Sequence, residues 1–219
     1  MIDEANSLSL SWPGWIQHDP QASHPGLSSA AISIPNQISA LFCVQIVDVC
    51  SKPSQSLNLL LLQEQELAAQ LQFTLVDVDQ EALEYVRTRL VHASLESVVR
   101  LERRNLLHLC IGRQQLDLEP QHLIYSIGLI DYFDDRIVTR LQTWIRTCLA
   151  PGGRSILGNF HTSNPTRGLM DHLLDWRLIH RDENDMVRLA EAAGFEPGQT
   201  SCRFEEARVN LFSISTRTQ

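Results

Sequence analysis

Apolar and polar positions fall into regular blocks from about residue 40 onward, and those blocks predict an ordered series of elements. Leu41 to Val49 is apolar and β-rich with one interruption at Gln45, which predicts a strand buried on both faces. Ser54 to Gln70 is leucine-rich and ends in Glu, Gln and Ala, which predicts a helix. Phe73 to Asp77 predicts a second strand. Asp79 stands where it can cap a helix over 80–91, with Ala82, Leu83, Val86 and Leu90 on its inner face. Asn105 to Ile111, closed by Gly112, predicts a third strand, and His122 to Ile127 a fourth. Phe133, Ile137, Val138, Leu141, Trp144, Ile145, Cys148 and Leu149 recur at helical spacing until Pro151-Gly152-Gly153 stops them. Arg154 to Phe160 predicts a fifth strand, followed by helices over 165–178 and 183–193, the second closed by Gly194. Strands over 200–205 and 208–215 finish the chain.

Strands alternating with helices at this spacing require a parallel sheet with right-handed crossovers, an α/β fold. The last two strands are joined by a short turn and must run antiparallel. The stretch from Ser7 to Asn36 is different. It carries Pro13, Pro20, Pro25 and Pro35 with Gly14 and Gly26, residues that break helices and cannot join a sheet interior. We therefore expect an irregular Ser/Pro-rich arm or cap over 1–39, pinned by Trp12, Trp15 and Ile16, and one folded domain over 40–219.

Charge and cysteine usage narrow the partners. The net charge of −8 argues against a nucleic-acid duplex or an anionic membrane. No apolar run approaches the length of a membrane-spanning helix. Asp3 and Glu4 stand where a secretion signal would be basic, so the expectation is a cytoplasmic protein. The five cysteines are scattered singly, with no spacing that predicts a metal site.

One acid stands out for chemistry. Asp77 ends the predicted second strand in Leu75-Val76-Asp77-Val78-Asp79. In doubly wound sheets ligands sit beyond the carboxyl ends of the strands, where a carboxylate can accept both ribose hydroxyls of an adenosine. The alternative is a helix cap, and two acids two residues apart allow both, with Asp77 on the ligand and Asp79 as cap. Leu149 to Arg154 is by itself a turn that feeds a strand.

Four strings carry a family likeness: Phe73 to Leu83, Leu123 to Phe133, Gly158 to Pro165 and Leu174 to Arg181. Together they resemble class I S-adenosylmethionine (SAM)-dependent methyltransferases, and in particular the bacterial extracellular-factor branch, whose members make the methyl ester of a 3-hydroxy fatty acid. The likeness covers about residues 57–215. It implies a Rossmann-like three-layer sandwich, a mostly parallel seven-stranded sheet with an antiparallel C-terminal strand. It implies SAM as cofactor and a small carboxylic or hydroxy acid as methyl acceptor. On this resemblance Asp77 would hold the ribose, Ile111 and Gly112 would flank the adenine, and Ser126 to Gly128 would line the methionine half. Cys50 and Ser51 belong to the cofactor loop after the first strand. Asp131 and Tyr132 follow strand four beside the transferring methyl group. On the acceptor side stand Asn159, His161, Asn164, Arg167, Trp176 and Arg181. Arg167 and Arg181 would orient an acid by paired hydrogen bonds; for a hydroxyl acceptor His161 or Asp131 would be the base.

The chain departs from that family at one place. The loop after strand one reads Val49-Cys50-Ser51-Lys52-Pro53-Ser54-Gln55-Ser56, with no glycine where the backbone must pass close to the cofactor. The composition changes at the same boundary: residues 1–56 hold 11 of the 19 serines and no arginine. Disruption or replacement of the upstream coding region would explain both, and so would ordinary divergence. Two functional readings follow: a SAM-dependent methyltransferase, or a catalytically inactive methyltransferase-like binding or scaffold protein. An NAD-dependent oxidoreductase would also need glycines in this loop. An exposed sheet edge or the tryptophan-bearing arm could make a homodimer contact.

Overall fold

The structure is a computed structural model that describes residues 44–49 and 71–218. The arm expected over 1–39, the boundary at 40, the helix expected over 54–70, and Cys50 and Ser51 lie outside the described residues. In chain order the described elements are β1 (Val44–Val49), β2 (Leu71–Asp77), α1 (Gln80–Ala93), β3 (Val99–Arg103), α2 (Leu106–Cys110), β4 (Gln121–Ser126), a 3-10 turn (Ile130–Tyr132), α3 (Asp135–Cys148), β5 (Leu149–Phe160), α4 (Arg167–His172), α5 (Glu183–Ala192), β6 (Thr200–Phe204) and β7 (Asn210–Thr216). The strands hydrogen-bond in the order β3-β2-β1-β4-β5-β7-β6. Pairs from β3 through β5 are parallel. β7 runs antiparallel to both β5 and β6, as the short final connection demands.

Two apolar clusters lie on the two faces of this sheet. Phe73 and Leu75 of β2 pack with Leu83, Val86 and Leu90 of α1 and with Val99 of β3. Val76, one residue out of phase, joins the larger cluster of Leu109, Ile124, Val138, Leu141, Ile145, Leu157, Met186 and Leu189, under α2, α3 and α5. The period of two along β2 thus sends alternate side chains to opposite helical layers. The apolar stripe on α3 delivers Val138, Leu141 and Ile145 into the core with no measurable exposure. The end of the chain stitches the far end of α3. Arg217 donates from one guanidinium nitrogen to the carbonyls of Arg146, Thr147 and Leu149, meeting the orphan acceptors of a helix C-terminus. At Gly153 a Cβ would stand 2.6 Å from the Gln121 carbonyl oxygen, so only glycine lets β5 pass β4 where their register shifts.

The third strand is a correction. Asn105 to Ile111 does not form it; Leu106–Cys110 is a short helix, and β3 is Val99–Arg103. Asn105 caps that helix, accepting from the Leu107 and His108 amides at 3.0 and 3.3 Å. β5 begins earlier than expected, running through the Pro-Gly-Gly turn from Leu149. The helix expected over 165–178 is shorter: α4 stops at His172, and the chain continues irregularly through Asp175 at φ +45°.

Candidate functional site

The topology fixes where a ligand can sit. β1 has β2 on one side and β4 on the other, so its carboxyl end is the switch point of the sheet, beside which open α/β sheets hold ligands in a crevice. Asp77 is the last residue of β2, one step beyond the Val49–Val76 pair, and stands on the rim of that crevice. Its side chain is buried, and one carboxylate oxygen accepts the Asp79 amide at 2.8 Å. Burial pushes its pKa up, opposed by the Asp79 and Val78 amides. Asp79 does the capping, accepting from Glu81 and Ala82 at the start of α1. Val78 between them is exposed, an apolar side chain at the rim beside the acid. Nothing in its residue type distinguished it in the sequence.

Across the crevice, Ser126 ends β4. It is fully buried, and its hydroxyl has no hydrogen-bond partner. Gly128 follows at φ +74°, a conformation that costs a side chain dearly, and turns the chain off the strand. Ile111 and Gly112 do not end a strand. They close α2, with Gly112 at φ +72° and its amide bonded to the Leu109 carbonyl. The residue that ends β3 beside Asp77 is Arg103, whose Nε donates to the Val78 carbonyl at 3.3 Å.

The residues after β4 and β5 are tied together by one buried network. The Phe160 amide donates to Asp131 Oδ1 at 2.7 Å, and the Ile179 amide to the Asp131 carbonyl at 2.8 Å. Arg181 uses all five of its N–H groups. Nε and one Nη donate to Asp135 Oδ1 at 3.1 and 3.0 Å; the others reach the Ile130 carbonyl, Asn159 Oδ1 and the Phe133 carbonyl at 3.0, 2.8 and 2.6 Å. The Asn159 amide nitrogen spans the Phe160 and Ile179 carbonyls. Asn164 accepts from the Thr166 amide and hydroxyl, opening the turn into α4.

These bonds correct four expectations. Arg181, 1% exposed, has no donor left for an acceptor acid. Asn159 and Asn164 are buried with both ends of the amide engaged. Asp131, also 1% exposed, presents no carboxylate to a substrate as a base. Burial pushes its pKa up to about 6, against the pull of the Phe160 amide, its own amide and Arg181.

Three candidates remain at least partly open to solvent. Tyr132 is 54% exposed, and its hydroxyl accepts the Trp176 indole N–H at 3.0 Å. Trp176 meets Phe160 edge-on at 6.1 Å. Among the described residues Arg167 is held through Nε to Asp171, 3.4 Å away, with no hydrogen bond to its Nη groups there. His161 is not part of this group. Phe160 packs with Met170, Leu178 and Trp176, while the next side chain, His161, turns to Phe204 and Glu183. Alternation at the end of β5 puts them on opposite faces. No helix among the described residues is long and apolar enough to cross a membrane, and none of their side-chain groupings could hold a metal ion.

No family model and no curated protein matches the sequence. Solved structures do match. The chain is similar to the SAM-dependent methyltransferase SibL in its apo form, with TM-score 0.62 and 18% identity over 90% of this chain and 60% of that one. An O-methyltransferase family protein from Burkholderia thailandensis matches with TM-score 0.62 and 14% identity, over 80% of this chain and 51% of that one. Magnesium protoporphyrin IX methyltransferase from Synechocystis, solved with bound SAH, matches with TM-score 0.59 and 12% identity, over 81% and 75%. The chain spans about three-fifths of the first of these and half of the second. The likeness is one of fold: the chain shares the α/β fold of these methyltransferases.

Proposed function

We propose that the chain is a SAM-dependent methyltransferase that esterifies a small carboxylic acid, a 3-hydroxy fatty acid among the candidates. The observation that carries this reading is Asp77, a buried carboxylate on the crevice rim with its helix-capping duty taken over by Asp79. The described residues fit the adenosyl half of SAM. Asp77 would accept the ribose hydroxyls, and Val78 would lie against the adenine. The unpartnered Ser126 hydroxyl and the Gly128 turn would meet the methionine half. The strand order is read as the seven-stranded three-layer sandwich of this family. When bound, SAM supplies an electrophilic methyl group on a sulfonium.

A carboxylate acceptor is favoured over a hydroxyl because the two expected bases among the described residues are turned from the rim. Asp131 is buried and His161 faces away from Tyr132 and Trp176. A carboxylate is already a nucleophile and needs alignment, not deprotonation. The Arg167 Nη groups would align it, and the Tyr132–Trp176 pair would flank its substituent. Calorimetry with SAM and with its demethylated product tests this. Micromolar binding, weakened at least about tenfold in Asp77→Ala, is expected, since a lost bond to a charged group costs roughly 1.5–3 kcal/mol. No heat at millimolar ligand from folded protein would leave only a binding or scaffold role.

A further inference from the structure

The first residues after β5 build a second cluster on the face away from the proposed acceptor region. The Ser163 amide donates to His161 Nδ1 at 3.2 Å, so that ring nitrogen is an acceptor. The ring proton is then on Nε2, which donates to Glu183 Oε2 at 3.2 Å. Ser163 Oγ lies 2.6 Å from Nδ1, and with Nδ1 unprotonated the hydroxyl must be the donor. A serine hydroxyl, an imidazole base and a carboxylate that holds the base in its tautomer are the parts of an activated nucleophile.

Each part is held for that role. The His161 amide donates to the Val209 carbonyl, and its ring meets Phe204 edge-on at 4.9 Å. Glu183 opens α5, so its backbone is fixed by the Asp182–Asp185 capping box. Arg208 lies 4.5 Å over the same Phe204 ring, at φ +56°, and brings a cation to this rim. Ser163 itself is exposed, while His161 is largely covered. The ring nitrogens exchange the places they have in serine proteases, with Nδ1 on the nucleophile, but the three roles are filled.

We propose that Ser163 is an activated nucleophile, with His161 as its base and Glu183 as positioning residue, that accepts acyl groups from carboxylic esters and passes them to water. Ser163 Oγ bonds to the ester carbonyl carbon as its proton moves to His161 Nδ1. The carbon–oxygen bond to the alcohol breaks, and His161 returns the proton to that leaving oxygen. Water, deprotonated by the same nitrogen, then releases the acid and restores the serine. The net reaction is ester plus water to acid plus alcohol, and it uses no cofactor.

The test uses the full chain and a fluorophosphonate probe, which forms an oxygen–phosphorus bond to an activated serine as fluoride leaves. Mass spectrometry of the wild type is expected to place the adduct on Ser163. Ser163→Ala should give none, and His161→Gln should label at least about 100-fold more slowly, the scale of general-base assistance. Glu183→Gln should slow labelling and mix the two His161 tautomers in nitrogen-15 NMR spectra; Glu183→Asp should restore part of both. An unlabelled, folded wild type at millimolar probe, or an adduct that survives Ser163→Ala, overturns the proposal. SAM calorimetry is unaffected by either result, so the two functional readings stand or fall separately.

Discussion

Replacing Arg181 with methionine removes the bolt that joins the turn after β4 to the end of β5. The side chain is 2% exposed and its five N–H groups are all used. Asn159 Oδ1 lies at a fully buried bond and would be left without a donor, whereas the Ile130 carbonyl keeps the Phe133 amide at 3.1 Å. An unpaired buried acceptor costs about 1–3 kcal/mol. The ion pair itself adds little, because Asp135 is half exposed and keeps Arg188 at 2.8 Å. A loss of about 1–3 kcal/mol is a sizeable part of the ~5–15 kcal/mol a domain has. Urea unfolding followed by circular dichroism should show the midpoint falling with an unchanged slope. Arg181→Lys, with three donors in place of a five-pronged fork, should recover less than half of the loss. A cost below about 1 kcal/mol for the methionine variant would refute the reasoning that donor satisfaction, not charge, is what Arg181 contributes.

Two further outcomes follow from single residues. Asp131 has a folded pKa of about 6 against an ordinary 3.8, so its contribution to stability is full below about pH 4 and is lost as pH rises through 6. The gap of roughly two pH units corresponds to about 3 kcal/mol, and Asp131→Asn, which keeps the oxygen facing the Phe160 amide, should lack that decline in stability curves measured from pH 4 to 8. Equal pH dependence of variant and wild type would contradict it. Ser94 ends α1 at φ +56°, where glycine is unstrained, so Ser94→Gly should gain about 1 kcal/mol and raise the melting temperature by roughly 2–4 °C. A lower melting temperature would count against this.

The elements that carry a one-sided apolar pattern were legible in the chain. α3, with its stripe from Val138 to Ile145, and β2, bounded by Asp77, lie within a few residues of where the pattern puts them. The third strand was not legible, for a physical reason. Asn105 to Ile111 is a short apolar run closed by glycine, and such a run suits a buried strand or a short helix equally. The true β3 is a sheet edge bearing Arg100, Glu102 and Arg103, charges that protect an edge from pairing and hide its period. The site was legible only in part. Position in the sequence put Asp77 at the end of β2, but did not say which polar groups the protein uses on itself. Arg181 and Asn159 resemble ligand-binding residues in type; their bonds to carbonyls twenty to fifty residues away belong to tertiary structure alone. Val78 gave no signal, because an apolar residue beside an acid looks the same whether it faces a ligand or a core.

The place of β7 has a consequence for how the protein is made. This strand follows β6 in sequence, yet it lies between β5 and β6 in the sheet. Until Asn210–Thr216 has left the ribosome, β5 has no neighbour on that side, and its hydrogen-bonding row stands open. At synthesis rates of about 5–20 residues per second, the roughly fifty residues after β5 take several seconds to emerge. During that interval the nascent chain offers a template for pairing with other chains. Yield in cells should therefore depend on chaperone supply and translation speed over this final stretch more than on the stability of the finished fold.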